Sequence, residues 1–261
     1  MEHHEAALAR YLETVSARAD TLAVVLVGSV ARGTERTDSD LDVYLVVGDQ
    51  AWREAAAGNR LAWSERHDED YPGGYLDVKL ASPHYLAQAA TLADDPTRAS
   101  FTGARVVFSR MPGLEDAIAA LATLPAQEWD RRVDAHLAQA RLYGNYFLVQ
   151  ACDSGDVFLR RHAAVHLAMA AARAVLAVNR TLFKGPKYVT EILAGLPNVP
   201  AGFVAAWQRV LDDPDPAGAA ALIGLLEGWA PRVLPRADTL STFIRDNELP
   251  WLTGALPAEY Y

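Results

Sequence analysis

The chain has 261 residues, 51% hydrophobic and 22% charged, with 24 Lys and Arg against 33 Asp and Glu, a net charge of −9. That length builds one large domain or two modest ones of ordinary globular composition. The acidic excess argues against an extended nucleic-acid surface, which needs Lys and Arg to neutralise phosphates. The single cysteine, Cys152, excludes an internal disulfide and a cysteine zinc cluster.

Residues 2–19 carry apolar side chains at helical spacing (Ala6, Leu8, Tyr11, Leu12, Val15), so a helix opens the chain. This start is acidic and amphipathic, unlike a signal peptide, and the longest apolar helical stretch, 166–178, is interrupted by Arg173 and too short to span a bilayer. A cytoplasmic protein with no membrane partner is expected. The unbroken apolar run 22–27 reads as a strand buried on both faces. Gly28-Ser29 then turn the backbone, Ala31-Arg32-Gly33 suit a short helical turn, and 34–39 form a polar connection. Residues 40–46 read as the next strand, with Asp40, Asp42 and Tyr44 on one face and Leu41, Val43 and Leu45 on the other. Two carboxylates on one face repel each other unless a cation sits between them, and Mg²⁺ is the natural candidate because carboxylates and substrate phosphates supply its oxygen ligands.

A helix is expected over 49–57, then a polar connection over 58–72. Residues 75–80 alternate as a third strand, with Tyr75, Asp77 and Lys79 opposed to Leu76, Val78 and Leu80. Ser82-Pro83 starts a helix that runs to about residue 93, and 104–108 form a fourth short strand. From Pro112 onward the periodicity is helical: 113–123, 126–150, 155–180, 186–195, 201–212 and 215–229, separated by Gly and Pro breakers, with a Pro-rich tail over 231–261.

Gly28-Ser29, ten intervening residues, and Asp40-x-Asp42 in a hydrophobic strand resemble the signature of the nucleotidyltransferase superfamily of DNA polymerase beta-like fold, in particular its antibiotic (aminoglycoside and lincosamide) nucleotidyltransferases. The resemblance covers roughly the first 110 residues well and the rest loosely. With the element pattern it implies an α+β protein: a nucleotidyltransferase domain over 1–111, a small mixed sheet flanked by helices, and an all-α helical bundle over 112–261 that binds substrate. The implied reaction moves a nucleoside monophosphate, AMP from ATP, onto a hydroxyl of a small molecule and releases pyrophosphate, with two Mg²⁺ ions and a nucleoside triphosphate as co-substrate. Asp40 and Asp42 would hold metal. Asp77 matches the family's third carboxylate, which completes the metal site or takes the acceptor's proton. An ion pair of Asp77 with Lys79 is the structural alternative, and Glu65, Asp68, Glu69 and Asp70 are other acidic candidates.

Gly28 lets the backbone approach a phosphate, and Ser29 adds a hydroxyl donor. Arg32 and Arg36 could add charge there, and Lys187, or secondarily Lys184, could reach the triphosphate from a helix start. The acceptor is expected in a cleft between the domains. Arg161-x₄-His166 also resembles a short pattern of helical-bundle ribonucleases, but behind a complete transferase motif His162 and His166 read as polar residues of the bundle. Two further functional classes stand as alternatives: a toxin–antitoxin transferase modifying a protein or tRNA, and a non-catalytic nucleotide-binding regulatory module. The residues leave the acceptor, the preferred nucleotide and the oligomeric state open.

Overall fold

Strand side chains point alternately to opposite faces, so a strand buried on both faces must be covered by helices on each. The computed structural model describes residues 1–66, 71 and 74–261, and divides the chain into two compact units, Met1–Ala93 with Thr97–Thr123 and Asp94–Pro96 with Leu124–Tyr261.

The first part of the chain runs α1 (Glu2–Ser16), β1 (Thr21–Val27), α2 (Gly28–Arg32), β2 (Leu41–Val47), α3 (Asp49–Ala57), β3 (Ala62–Arg66), β4 (Tyr75–Ala81), α4 (Pro83–Leu92), α5 (Asp95–Ser100), β5 (Arg105–Ser109) and α6 (Leu114–Leu121). The strands form a five-stranded mixed sheet in the order β3-β4-β2-β1-β5, with β2 and β4 parallel and the other neighbours antiparallel. On one face Val24, Leu26, Leu41, Val43, Leu45, Leu76 and Val78 pack with Ala7, Leu8, Tyr11 and Val15 of α1. On the other, Ala23, Val25, Val27, Tyr44, Val46 and Ala81 pack with α4, α6 and Phe101. Leu26, Leu41, Leu45 and Leu76 are fully buried, and truncating such a leucine to alanine costs about 2–5 kcal/mol.

Two elements depart from the sequence reading. The stretch read as a polar connection contains β3, which pairs with β4 at the edge of the sheet and shows alternating exposure. Its polar composition is what an edge strand tolerates. The short α5 lacks an apolar period but starts with Asp95-Pro96, a favourable helix opening.

The second unit is helical throughout its described secondary structure. α7 (Ala126–Leu142) passes through a π-helical turn, Tyr143–Phe147, into α8 (Leu148–Ser154), so 126–154 is one interrupted helix. At Gly144 a Cβ would come within 2.7 Å of Ile223 Cδ1, so the absent side chain leaves room for that isoleucine. Then follow α9 (Val157–Val178), a 3₁₀ turn at Pro186–Tyr188, α10 (Val189–Gly195), α11 (Phe203–Asp212), α12 (Pro216–Trp229) and α13 (Thr239–Phe243). His162 and His166 sit half-buried on α9. His166 pairs with Glu259 of the tail, and the Tyr143 hydroxyl lies 3.3 Å from the same carboxylate oxygen. No helix among the described residues is long and apolar enough to cross a membrane. The fold class is α+β, a mixed sheet followed by a mostly helical part.

Candidate active site

The parallel pairing of β2 with β4 sets Asp42 opposite Asp77, and Leu41 opposite Leu76. Asp40 stands one residue before β2. Each of the three carboxylates offers an oxygen, and these oxygens lie within 4.8 Å of one another. All three side chains are partly exposed, open to a ligand yet shielded from full hydration. Burial first, then the charges of Asp40 and Asp77, raise the pKa of Asp42 above the ordinary aspartate value, while Lys79 and Arg32 oppose the rise. A divalent cation relieves such crowding, so the donor set fits the hard oxygen-liganded metal that its chemistry implies.

Each carboxylate has local support. Ser64, in register with Asp77 on the neighbouring β3, donates its hydroxyl to Asp77 Oδ1. The nearby Asp40 carboxylate, as hydrogen-bond acceptor and as a charge, raises the Tyr75 pKa above the ordinary tyrosine value. Gly28 closes the site from the β1–α2 turn at φ +75°, and a Cβ there would overlap the Asp42 carboxylate. Ser29 follows, half-buried, its hydroxyl without a hydrogen-bond partner among the described residues. Sequence reasoning passed over Ser64 and Tyr75, because their roles depend on strand pairing and on a contact across the sheet end.

Arg32 is exposed on α2, acts on Asp42 through its charge, and runs its stem over Gly103. Arg36 pairs with Asp38 at 3.1 Å. Lys79 makes no ion pair with Asp77 among the described residues; its Nζ lies 5.9 Å from the Tyr44 ring centroid. Glu65 accepts from Trp63 Nε1, and Asp68, Glu69 and Asp70 lie outside the described residues. Lys187 belongs to the second unit, exposed on the 3₁₀ turn with Nζ 5.4 Å above the Tyr188 ring, and Lys184 is exposed just before it. The structure therefore gathers Gly28, Ser29, Asp40, Asp42 and Asp77, with Arg32 beside them.

Residues 8–80 match the family described as "Nucleotidyltransferase domain". A search of the curated proteins finds no match. Among solved structures, the chain is similar to a nucleotidyltransferase-like protein from Exiguobacterium sibiricum 255-15, at 12% identity and a TM-score of 0.51, over 92% of this chain and 77% of that one. At that identity the likeness concerns the fold. The matched span ends at Leu80 and takes in Gly28, Ser29 and all three aspartates, so the site lies within the part of the chain that matches a nucleotidyltransferase domain, and the match supports a nucleotidyltransferase; enzymes of that class typically use a nucleoside triphosphate and a divalent metal.

Proposed function

We propose that the protein transfers AMP from ATP, in a Mg²⁺-dependent reaction, onto a hydroxyl of a small molecule such as an aminoglycoside or lincosamide. The observation that carries this reading is the convergence of Asp40, Asp42 and Asp77 beside Gly28-Ser29. Asp40 and Asp42, with Asp77 as a third ligand or as the base, would hold Mg²⁺. When bound, the metal supplies charge neutralisation for the phosphate oxygens and for the oxygens that attack and leave.

The chain's own groups do the rest. Asp77 accepts the proton of the acceptor hydroxyl, whose oxygen bonds to the α-phosphorus while the bond from that phosphorus to the bridging oxygen breaks and pyrophosphate departs. Ser64 holds Asp77 in orientation by its hydrogen bond. The backbone at Gly28 and the Ser29 hydroxyl receive the outgoing phosphates, with Arg32 adding positive charge. Lys187 stays a proposed triphosphate contact on the sequence pattern alone. An acidic cluster favours a polycationic acceptor by simple attraction.

The test is a screen of hydroxyl-bearing acceptors, aminoglycosides and lincosamides first, with ATP labelled in the adenine and products read by mass spectrometry. The expected product is acceptor plus one AMP, formed only with divalent metal. Label appearing on added tRNA or protein, with none on small molecules, would replace this acceptor class.

A further inference from the structure

The peptide bond that delivers Asp40 begins at the Ser39 carbonyl, and two side chains distant in sequence donate to that one oxygen. His4 Nε2 lies 3.1 Å from it and the Tyr71 hydroxyl 2.7 Å. A carbonyl oxygen has two lone pairs, so both bonds form at once. His4 is 0% exposed and Tyr71 and Ser39 are buried, which removes water as a competing donor. The rings of His3, His4 and Tyr71 pack together, with centroids 4.1–4.8 Å apart. His3 Nε2 meets the Thr37 carbonyl at 3.1 Å, so the first turn of α1 grips the 34–40 connection at two points.

A carbonyl can only accept, and this fixes the His4 proton on Nε2 in the neutral ring. Burial, and then the neighbouring His3, lower the His4 pKa, in keeping with that neutral form. Its Nδ1 is buried with no partner among the described residues. A leucine would fill the same space without stranding a nitrogen, so packing alone does not account for a histidine here. The bond to Ser39 does.

We propose that His4 and Tyr71 are positioning residues that clamp the Ser39 carbonyl and so set where the Asp40 carboxylate stands relative to Asp42 and Asp77. The proposal rests on the reading of the three aspartates as a metal site. Neither residue touches substrate or metal; both act through the backbone that carries Asp40.

The experiment uses the full chain with His4→Leu, Tyr71→Phe and His4→Gln, whose terminal amide can donate from near the place of Nε2. Three quantities are measured: the melting temperature, the ¹⁵N shift of the Asp40 amide, which reports hydrogen bonding at the preceding carbonyl, and Mn²⁺ binding in the presence of ATP by electron paramagnetic resonance. His4→Leu and Tyr71→Phe are each expected to move the Asp40 amide and weaken Mn²⁺ binding about tenfold, the scale on which groups that orient metal ligands act. His4→Gln should recover most of the loss. A folded His4→Leu that binds Mn²⁺ as tightly as wild type overturns the clamp. Should His4→Leu fail to fold, Tyr71→Phe, which removes a single oxygen, decides in the same way. Wild-type protein that takes up no Mn²⁺ with ATP overturns the metal reading and the clamp together, whereas unchanged binding in the variants overturns the clamp alone.

Discussion

A side chain at position 28 would meet the Asp42 carboxylate, and the φ of +75° there is one that glycine adopts without strain, so the approach of the first turn to the acidic cluster rests on a missing methyl group. At the same scale, the roles proposed for the aspartates can be separated. Asp77→Asn keeps the size and removes the basicity; it should lower turnover by about 10²–10⁴, the usual cost of losing a general base, and if Asp77 is chiefly the base and not a third ligand, Mg·ATP binding stays close to wild type. Steady-state turnover on an identified acceptor, set beside calorimetric binding, checks this, and near-normal turnover would move the base elsewhere. The aspartates were legible because a charged residue stands out in an apolar strand and strand alternation tells which residues share its face. His4 and Tyr71 were not. A histidine in an acidic first turn reads as solvated surface, and its burial follows only from a connection some 35 residues later folding back over it.

Among the elements, β1, β2 and β4 were readable because their apolar patterns are long and clean. β3 was not, since Trp63, at an intermediate exposure, is its one large apolar residue and its pairing to β4 supplies what its own pattern lacks. The π-helical turn at Tyr143–Phe147 leaves no mark on periodicity, because one extra residue per turn shifts the pattern only locally. That turn presents Tyr143 to Glu259, which ties the tail to α9 through His166. The His166 hydrogen bond, acting against burial, holds the Glu259 carboxyl below the ordinary glutamate value. A depressed carboxylate contributes stability that is fully present above its unfolded value, about 4.3, and is lost as pH falls through its folded value. Glu259→Gln should therefore lower the melting temperature at pH 7 and flatten its decline below about pH 4.3, measured by circular dichroism across pH. A decline as steep as wild type's would detach this contact from acid stability.

For the molecule as a whole, the change from sheet to helices was evident in the turn from period-two alternation to helical spacing, and it gave the α+β class. One feature of the compact units has no local signal: Asp94–Pro96 group with the second unit although in sequence they stand among the elements of the sheet. Their side chains show why. Asp95 pairs with Arg132 of α7 and accepts from the Phe183 amide, contacts no local pattern announces. The net charge of −9 bears on function as well, because an acidic protein repels a free triphosphate and a divalent cation offsets that repulsion on both sides. Titration calorimetry of ATP into the protein, with Mg²⁺ and with excess chelator, and into Asp42→Asn with Mg²⁺, therefore decides whether nucleotide binds through a metal held by the aspartates. Chelation and Asp42→Asn are each expected to weaken binding by about tenfold or more, a loss of at least about 1.4 kcal/mol. Equal affinity under all three conditions would contradict that mode of binding.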